Sequence, residues 1–397
     1  MRLSDRVSRI KPSPTLAVTA KAKKMISEGV DLISFGAGEP DFDTPGNIKD
    51  KAIDAIREGF TKYTPPGGVD ELKEAIREKF FSDNGLSYDI SQIVINCGAK
   101  HTLYNLAQAL FNPGDEVIIS APYWVSYPDI VTLAEAKPVV IETSEDQGFV
   151  MTPQAFEKAI TPKTKAVIIN SPSNPTGALY SQEDLLAIGK IALEKKILII
   201  SDEIYEKLIY DGKKFVSIAS LDPEIKNLTI IVNGVSKTYA MTGWRIGYAA
   251  GPRDIIGAMT KIQSQSTSNP TSISQKAAIE AIKGSQDSVA IMIREFEKRR
   301  KYMVDELNSI EGISCFNPEG AFYLFPRFSA FYGKKYRGKT INGSLDLTDY
   351  LLDNARVAAV PGIAFGGDNF IRLSFAVSME MIQDGVKRIS EAMAGLE

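Results

Sequence analysis

Lys237 is the residue whose neighbours point most directly to chemistry. It stands in Ser236-Lys237-Thr238-Tyr239-Ala240-Met241-Thr242-Gly243-Trp244-Arg245, just after the apolar run Thr229–Asn233. Ligands of an open parallel sheet gather beyond the carboxyl ends of its strands, so a lysine here lies where a ligand belongs. Desolvation or a nearby cation lowers a lysine's pKa, and the freed amine can then form an imine with a carbonyl group. By position alone, a solvated loop lysine is the commoner reading. Its partners weigh against that: Arg245 supplies a planar fork suited to a phosphate, and Ser236 offers the same anion a hydroxyl.

Composition narrows the remaining chemistry. The chain has 397 residues, 44% hydrophobic and 24% charged, with a net charge of -3. That suits two domains with large cores and gives no polyanion-binding surface, so no nucleic-acid partner is expected. Two cysteines, Cys97 and Cys315, build neither a disulfide framework nor a four-cysteine zinc site, and both suit a reducing compartment. One histidine, His101, argues against a Ser-His-Asp hydrolase and most metal sites, so no metal is expected. The basic stretch Met1–Lys24 lacks the apolar centre of a secretory signal, which favours a cytoplasmic protein and an arm that docks on a partner subunit. No apolar stretch is long enough to span a membrane, and no membrane partner is expected.

These residues must be carried by elements. Apolar runs at Ile93–Cys97, Glu116–Ser120, Pro138–Glu142, Ala166–Asn170, Ile197–Ser201, Thr229–Asn233 and Ile246–Ala250 suit strands buried on both faces. Helix-compatible stretches such as Lys100–Leu110 and Gln182–Glu194 lie between them. The predicted class is α/β, a large domain over 46–285 with a mostly parallel seven-stranded sheet flanked by helices. A smaller α+β domain is expected over 286–397, with a helix at Ile291–Asn308, strands near Ile313–Cys315, Ala321–Phe325 and Phe370–Phe375, a helix around Leu347–Asn354 and a last helix from Glu380. Residues 1–45 are expected to form an arm and to join that domain through a strand in Leu32–Gly38.

Four ordered motifs carry a resemblance that covers nearly the whole chain from about residue 10. They are Asn170-Ser171-Pro172-Ser173-Asn174-Pro175-Thr176-Gly177, Ser201-Asp202-Glu203-Ile204-Tyr205, the lysine-to-arginine stretch above with Gly247, and Arg372-Leu373-Ser374-Phe375. Together with Pro318–Tyr323 they resemble the class I and II aminotransferases of fold type I, which use pyridoxal 5′-phosphate (PLP). The resemblance implies that Lys237 is the catalytic lysine and that Asp202 faces the cofactor's pyridine nitrogen. Asn174 and Tyr205 are implied donors to its ring oxygen, and Trp124 is the implied stacking partner. Ser236, Arg245 and the turn Gly98-Ala99-Lys100 are implied to hold the phosphate, with Tyr63 reaching the phosphate of a neighbouring subunit in a homodimer with shared sites. Each has an ordinary alternative: a helix cap for Asp202, a plain turn for Asn174–Gly177, a core position for Trp124.

The same resemblance implies an amino acid substrate and a 2-oxo acid acceptor, with Arg372 on the α-carboxylate and Gly38 approaching it through its backbone. Ping-pong transamination follows. The stretch Gln263–Asn269 contains no arginine, whereas Lys100 and Thr15 match a bacterial branch that reads a distal carboxylate by lysine and includes enzymes acting on prephenate. Aspartate aminotransferase is therefore expected, with arogenate formation from prephenate as a second activity. A solvated surface role for Lys100 stays open, as do an aromatic, alanine or kynurenine-type aminotransferase and a PLP lyase of the same fold. A non-catalytic PLP or amino-acid sensor lacks support, since no DNA-binding segment is appended.

Overall fold

The computed structural model describes residues 3–10, 12 and 14–397, with backbone alone at 14–17 and 19. Seven strands form its main sheet: β1 (Ile93–Asn96), β2 (Glu116–Ala121), β3 (Lys137–Glu142), β4 (Thr164–Asn170), β5 (Leu198–Asp202), β6 (Thr229–Gly234) and β7 (Gly247–Ala250). Their spatial order is β1-β7-β6-β5-β4-β2-β3. Pairing is parallel from β3 through to β6, as near-continuous apolar runs predict. Alternate residues feed opposite faces. Ala166 and Ile168 pack with Leu106 and Met259, whereas Val167 and Ile169 pack with Phe156 and Ile188.

The seventh strand breaks the pattern. β7 runs antiparallel to both β6 and β1. A parallel return needs a crossover, usually a helix, and the only helical turn between β6 and β7 is the short Thr242–Trp244. The chain therefore doubles back at the carboxyl-end edge of the sheet, with Gly234 opposite Gly247 and Asn96 opposite Gly247 on its other side. Asn170 and Asp202 are paired at the same edge. The segments that follow β1, β4, β5 and β6 thus open together, and the lysine loop lies among them.

The C-terminal part departs from expectation in detail. Ile313–Cys315 forms no strand, only an isolated antiparallel bridge between Ser314 and Arg327. The strand expected at Ala321–Phe325 is reduced to Tyr323–Leu324, which pairs with Ile371–Ser374, and that strand pairs in turn with Val360–Pro361. Pro361 has no N–H to donate and disguises its run as a non-strand. The helix expected at Leu347–Asn354 begins at Ser344 and widens into a π turn over Leu351–Ala355. Within Leu32–Gly38, Ile33–Ser34 pairs in parallel with Val357–Ala358, and Ile33 and Phe35 share a core with Phe296, Phe322 and Ile389.

Candidate active site

A cavity of about 680 Å³ opens at the shared sheet edge. Its wall carries Gly38, Ala99, Lys100, Trp124, Asn174 and Asp202, and beyond them Tyr205, Ser236, Lys237, Arg245 and Arg372. Residues more than 300 positions apart meet here because the chain's two ends close over the sheet edge.

Lys237 lies three residues beyond β6, and its amine donates to the Gly38 carbonyl. Nζ is 5.9 Å from the Tyr205 ring centroid and 5.8 Å from that of Phe322. Burial, helped by Arg372 and Arg245, pushes the amine's pKa down to about 8 against the pull of Glu39 and Asp202. About one molecule in ten then carries a free amine at pH 7, against fewer than one in a thousand for an ordinary lysine. The amine is therefore a usable nucleophile and base.

Asp202 ends β5 and is 5% exposed. Tyr127 donates to its Oδ2 at 2.6 Å and the Ile204 amide to Oδ1 at 3.3 Å. Burial nevertheless pushes the carboxyl up to about 6, with the Tyr127 and Ile204 hydrogen bonds opposing. An additional cation facing this group would be strongly favoured. Asn170 donates to the Asp202 carbonyl at 3.0 Å and accepts the Asn174 amide at 2.9 Å, which locks the Asn174 loop to the strand end. The Tyr205 and Tyr323 hydroxyls share a hydrogen bond of 3.0 Å.

The anion-binding side is built from glycine and arginine. Gly98 precedes the helix Ala99–Leu110 with φ of 90°. A Cβ there would run into the Arg245 guanidinium, so glycine is what lets the arginine lie against the helix start. Arg245, itself left-handed at φ 56°, donates to the Thr242 carbonyl at 2.8 Å and the Cys97 carbonyl at 3.3 Å. Backbone N–H groups at the helix start add to this cation. Lys100, in the first helical turn, sits 4.9 Å from the Trp124 ring centroid. Burial and Arg245 lower its pKa.

Arg372 comes from Ile371–Ser374 and is almost fully buried. It donates to Asn174 Oδ1 at 3.0 Å and the Gly36 carbonyl at 3.1 Å, and lies 4.4 Å from the Tyr323 ring centroid. Its Nε finds no partner. Among the described residues no carboxylate pairs with Arg372, Arg245 or Lys100. Three cations without protein anions around one cavity form a site for a ligand carrying several negative charges. No group of three metal-ligating side chains occurs among the described residues, and none of their helices is long and apolar enough to cross a membrane.

One expected residue is not brought to the cavity. Tyr63 is 90% exposed. The side chain of Thr15 lies outside the described residues, although its backbone belongs to the helix Pro14–Ser27. Conversely, Tyr127, Asn170, Tyr323 and Glu39 were not singled out, although all four line the cavity. Asn170 and Tyr323 lie within quoted motifs, and Tyr127 follows Trp124 at the three-residue spacing that puts both on one side of a helical turn.

Known proteins agree with this geometry. The model of the family "Aminotransferase class I and II" matches residues 30–389, and the chain belongs to that family. It is 53% identical over 388 residues to an aspartate aminotransferase of Bacillus sp. (strain YM-2), covering 98% of each chain. It is 51% identical over 397 residues to an aspartate/prephenate aminotransferase of Nitrosomonas europaea, covering 99% of this chain and 100% of the other. Among solved structures, an aspartate aminotransferase from Rhizobium meliloti superposes with a TM-score of 0.96 at 47% identity over the whole of both chains. One from Thermus thermophilus with maleate gives 0.93 at 42%, covering 99% of this chain and 100% of the other. The fold is therefore that of the fold type I aminotransferases.

Proposed function

We propose that the chain is a PLP-dependent aspartate aminotransferase, moving the amino group between L-aspartate or L-glutamate and their 2-oxo acids, and that it also converts prephenate to arogenate. The observation that carries this is Lys237: an amine of lowered pKa in a cavity with a buried carboxylate and three cations that lack protein anions. The residues fit PLP on their own terms. The Gly98-Ala99-Lys100 helix start, Ser236 and Arg245 would hold its phosphate. Asp202 would face its ring nitrogen, Trp124 its ring, and Asn174 and Tyr205 its ring oxygen. When bound, the cofactor supplies a carbonyl carbon for the amino group and a ring that withdraws electrons from the substrate's Cα.

The chain's own groups do the rest. Lys237 Nζ is the base that takes the Cα hydrogen and returns a proton after the electrons have shifted. Asp202, ionised at neutral pH, keeps the ring nitrogen protonated. Arg372 binds the α-carboxylate through the guanidinium edge that includes its unpartnered Nε, with Gly38 alongside. Lys100, with Thr15, reads the distal carboxylate; the dicarboxylate maleate in the Thermus thermophilus enzyme's structure supports that choice. The apolar wall of Ile26, Leu32 and Met381 leaves room for a ring, which supports prephenate and aromatic acceptors.

The exposure of Tyr63 supports a homodimer in which that tyrosine completes the partner's phosphate site. We also propose the division into 1–45, 46–285 and 286–397, the first joined to the last, and a cytoplasmic location. The purified protein should be yellow and its absorbance band should shift when aspartate is added; a colourless protein, or turnover by Lys237→Ala, refutes the reading. Lys100→Ser should cost oxaloacetate and prephenate at least tenfold in kcat/KM relative to phenylpyruvate, about 1.4 kcal/mol. An unchanged ratio removes Lys100 from the pocket.

A further inference from the structure

Residues 36–44 form a strap over the lysine loop. Gly38 accepts from Lys237 through its carbonyl, and Glu39 Oε2 accepts from Thr242 Oγ1 at 2.7 Å. Thr44 Oγ1 donates to the Ala240 carbonyl at 2.7 Å and accepts from Trp244 Nε1 at 2.9 Å. On the outer side, Arg299 grips both oxygens of Asp41 at 2.8 and 2.9 Å. The strap therefore fixes a second carboxylate, Glu39, besides Asp202, on the wall of a cavity that also gathers cations for anionic ligands. A negative charge there works against substrate binding unless it serves a cation nearby. Glu39 forms no salt bridge among the described residues; it adjoins Gly38, whose carbonyl holds the Lys237 amine, and its charge draws a proton toward that amine.

We propose that Glu39 is a charge-setting and positioning residue for the reacting amine: moored by Thr242, it offsets Arg245 and Arg372 around Lys237 and keeps the free amine seated on the Gly38 carbonyl. This rests on Lys237 being that amine. The charged groups on the cavity wall are Lys23, Lys100, Asp202, Arg245 and Arg372, besides Glu39 and Lys237, and the titratable Tyr127, Tyr205 and Tyr323 line it too. Asp202 and Glu39 are the two carboxylates that draw a proton onto the amine, while burial and the two arginines drive it off. With cofactor and substrate bound, Asp202 would face the ring nitrogen and the arginines would face anions, which would leave Glu39 as the carboxylate for the lysine.

The test needs neither cofactor nor turnover. Cofactor-free protein is labelled with acetic anhydride across a pH series, and acetylation of the Lys237 peptide is followed by mass spectrometry. Wild type should show a midpoint near 8. Glu39→Gln should lower it by at least about half a unit, and Thr242→Val should lower it by less, because it loosens the carboxylate without removing it. Glu39→Asp, which keeps the charge on a shorter side chain, should fall no further than Thr242→Val. A wild-type midpoint in Glu39→Gln, or an equal fall in Glu39→Asp, overturns the proposal. Because the readout is independent of transamination, it stands or falls separately from the assignment of activity.

Discussion

Tyr127→Phe isolates one hydrogen bond at the base of the site. Tyr127 is 3% exposed and Asp202 5%, so little water reaches the place of the lost hydroxyl. The 2.6 Å bond to Oδ2 disappears and only the longer Ile204 amide contact remains on the side chain. A hydrogen bond to an ionised group is worth about 1.5–3 kcal/mol, which at 1.36 kcal/mol per unit raises the carboxyl pKa by about 1–2 units. Asp202 starts at about 6, so the variant should titrate between about 7 and 8. The sign is fixed: between about pH 6 and that range the variant's carboxyl is protonated where the wild type's is ionised, and a bound ring nitrogen would lose its anion. Titrating cofactor-free protein with PLP, followed by tryptophan fluorescence, should show affinity reduced by about three- to twenty-five-fold near pH 6.5 and a gap that closes by about pH 8.5. Equal affinities at the lower pH would refute the charge argument. A gap of constant size would point to altered packing instead.

Two further outcomes test the scaffold. Gly98→Ala should weaken PLP binding at least tenfold, because its methyl displaces Arg245, whereas Gly29→Ala, at a similar φ of 83° but with open space around it, should leave cofactor affinity unchanged. Equal retention of cofactor by both variants would remove Gly98 from the cradle. Arg300 is wholly buried and donates to the Pro318 carbonyl at 2.6 Å, Asp211 at 2.7 Å and Asn317 at 3.1 Å. Arg300→Met should cost about 2–4 kcal/mol in denaturant unfolding, and a loss under about 1 kcal/mol would show those bonds to be dispensable.

Much of this protein was legible without coordinates. Buried strands announce themselves because apolar residues are needed on both faces, and all seven runs emerged within a residue or two, although β3 is half-exposed and β7 antiparallel. Lys237, Asp202, Asn174 and Arg372 were marked by local motifs at strand ends, since turn chemistry and strand boundaries are local properties of a chain. Short strands such as Val360–Pro361 were hidden, because two residues carry no periodicity and their pairing is decided by what lies beside them. So was the reversal at β7, which depends on the missing crossover and not on its own residues.

Lys237 shows where the two kinds of information divide. Sequence placed a lysine after a strand and an arginine eight residues later. Only the tertiary structure brought Glu39, Tyr127 and Arg372 from distant parts of the chain to one sheet edge, and partly buried the amine among them. Its reactivity follows from that burial and that company, because desolvation and Coulomb interactions act across space and are blind to order along the chain.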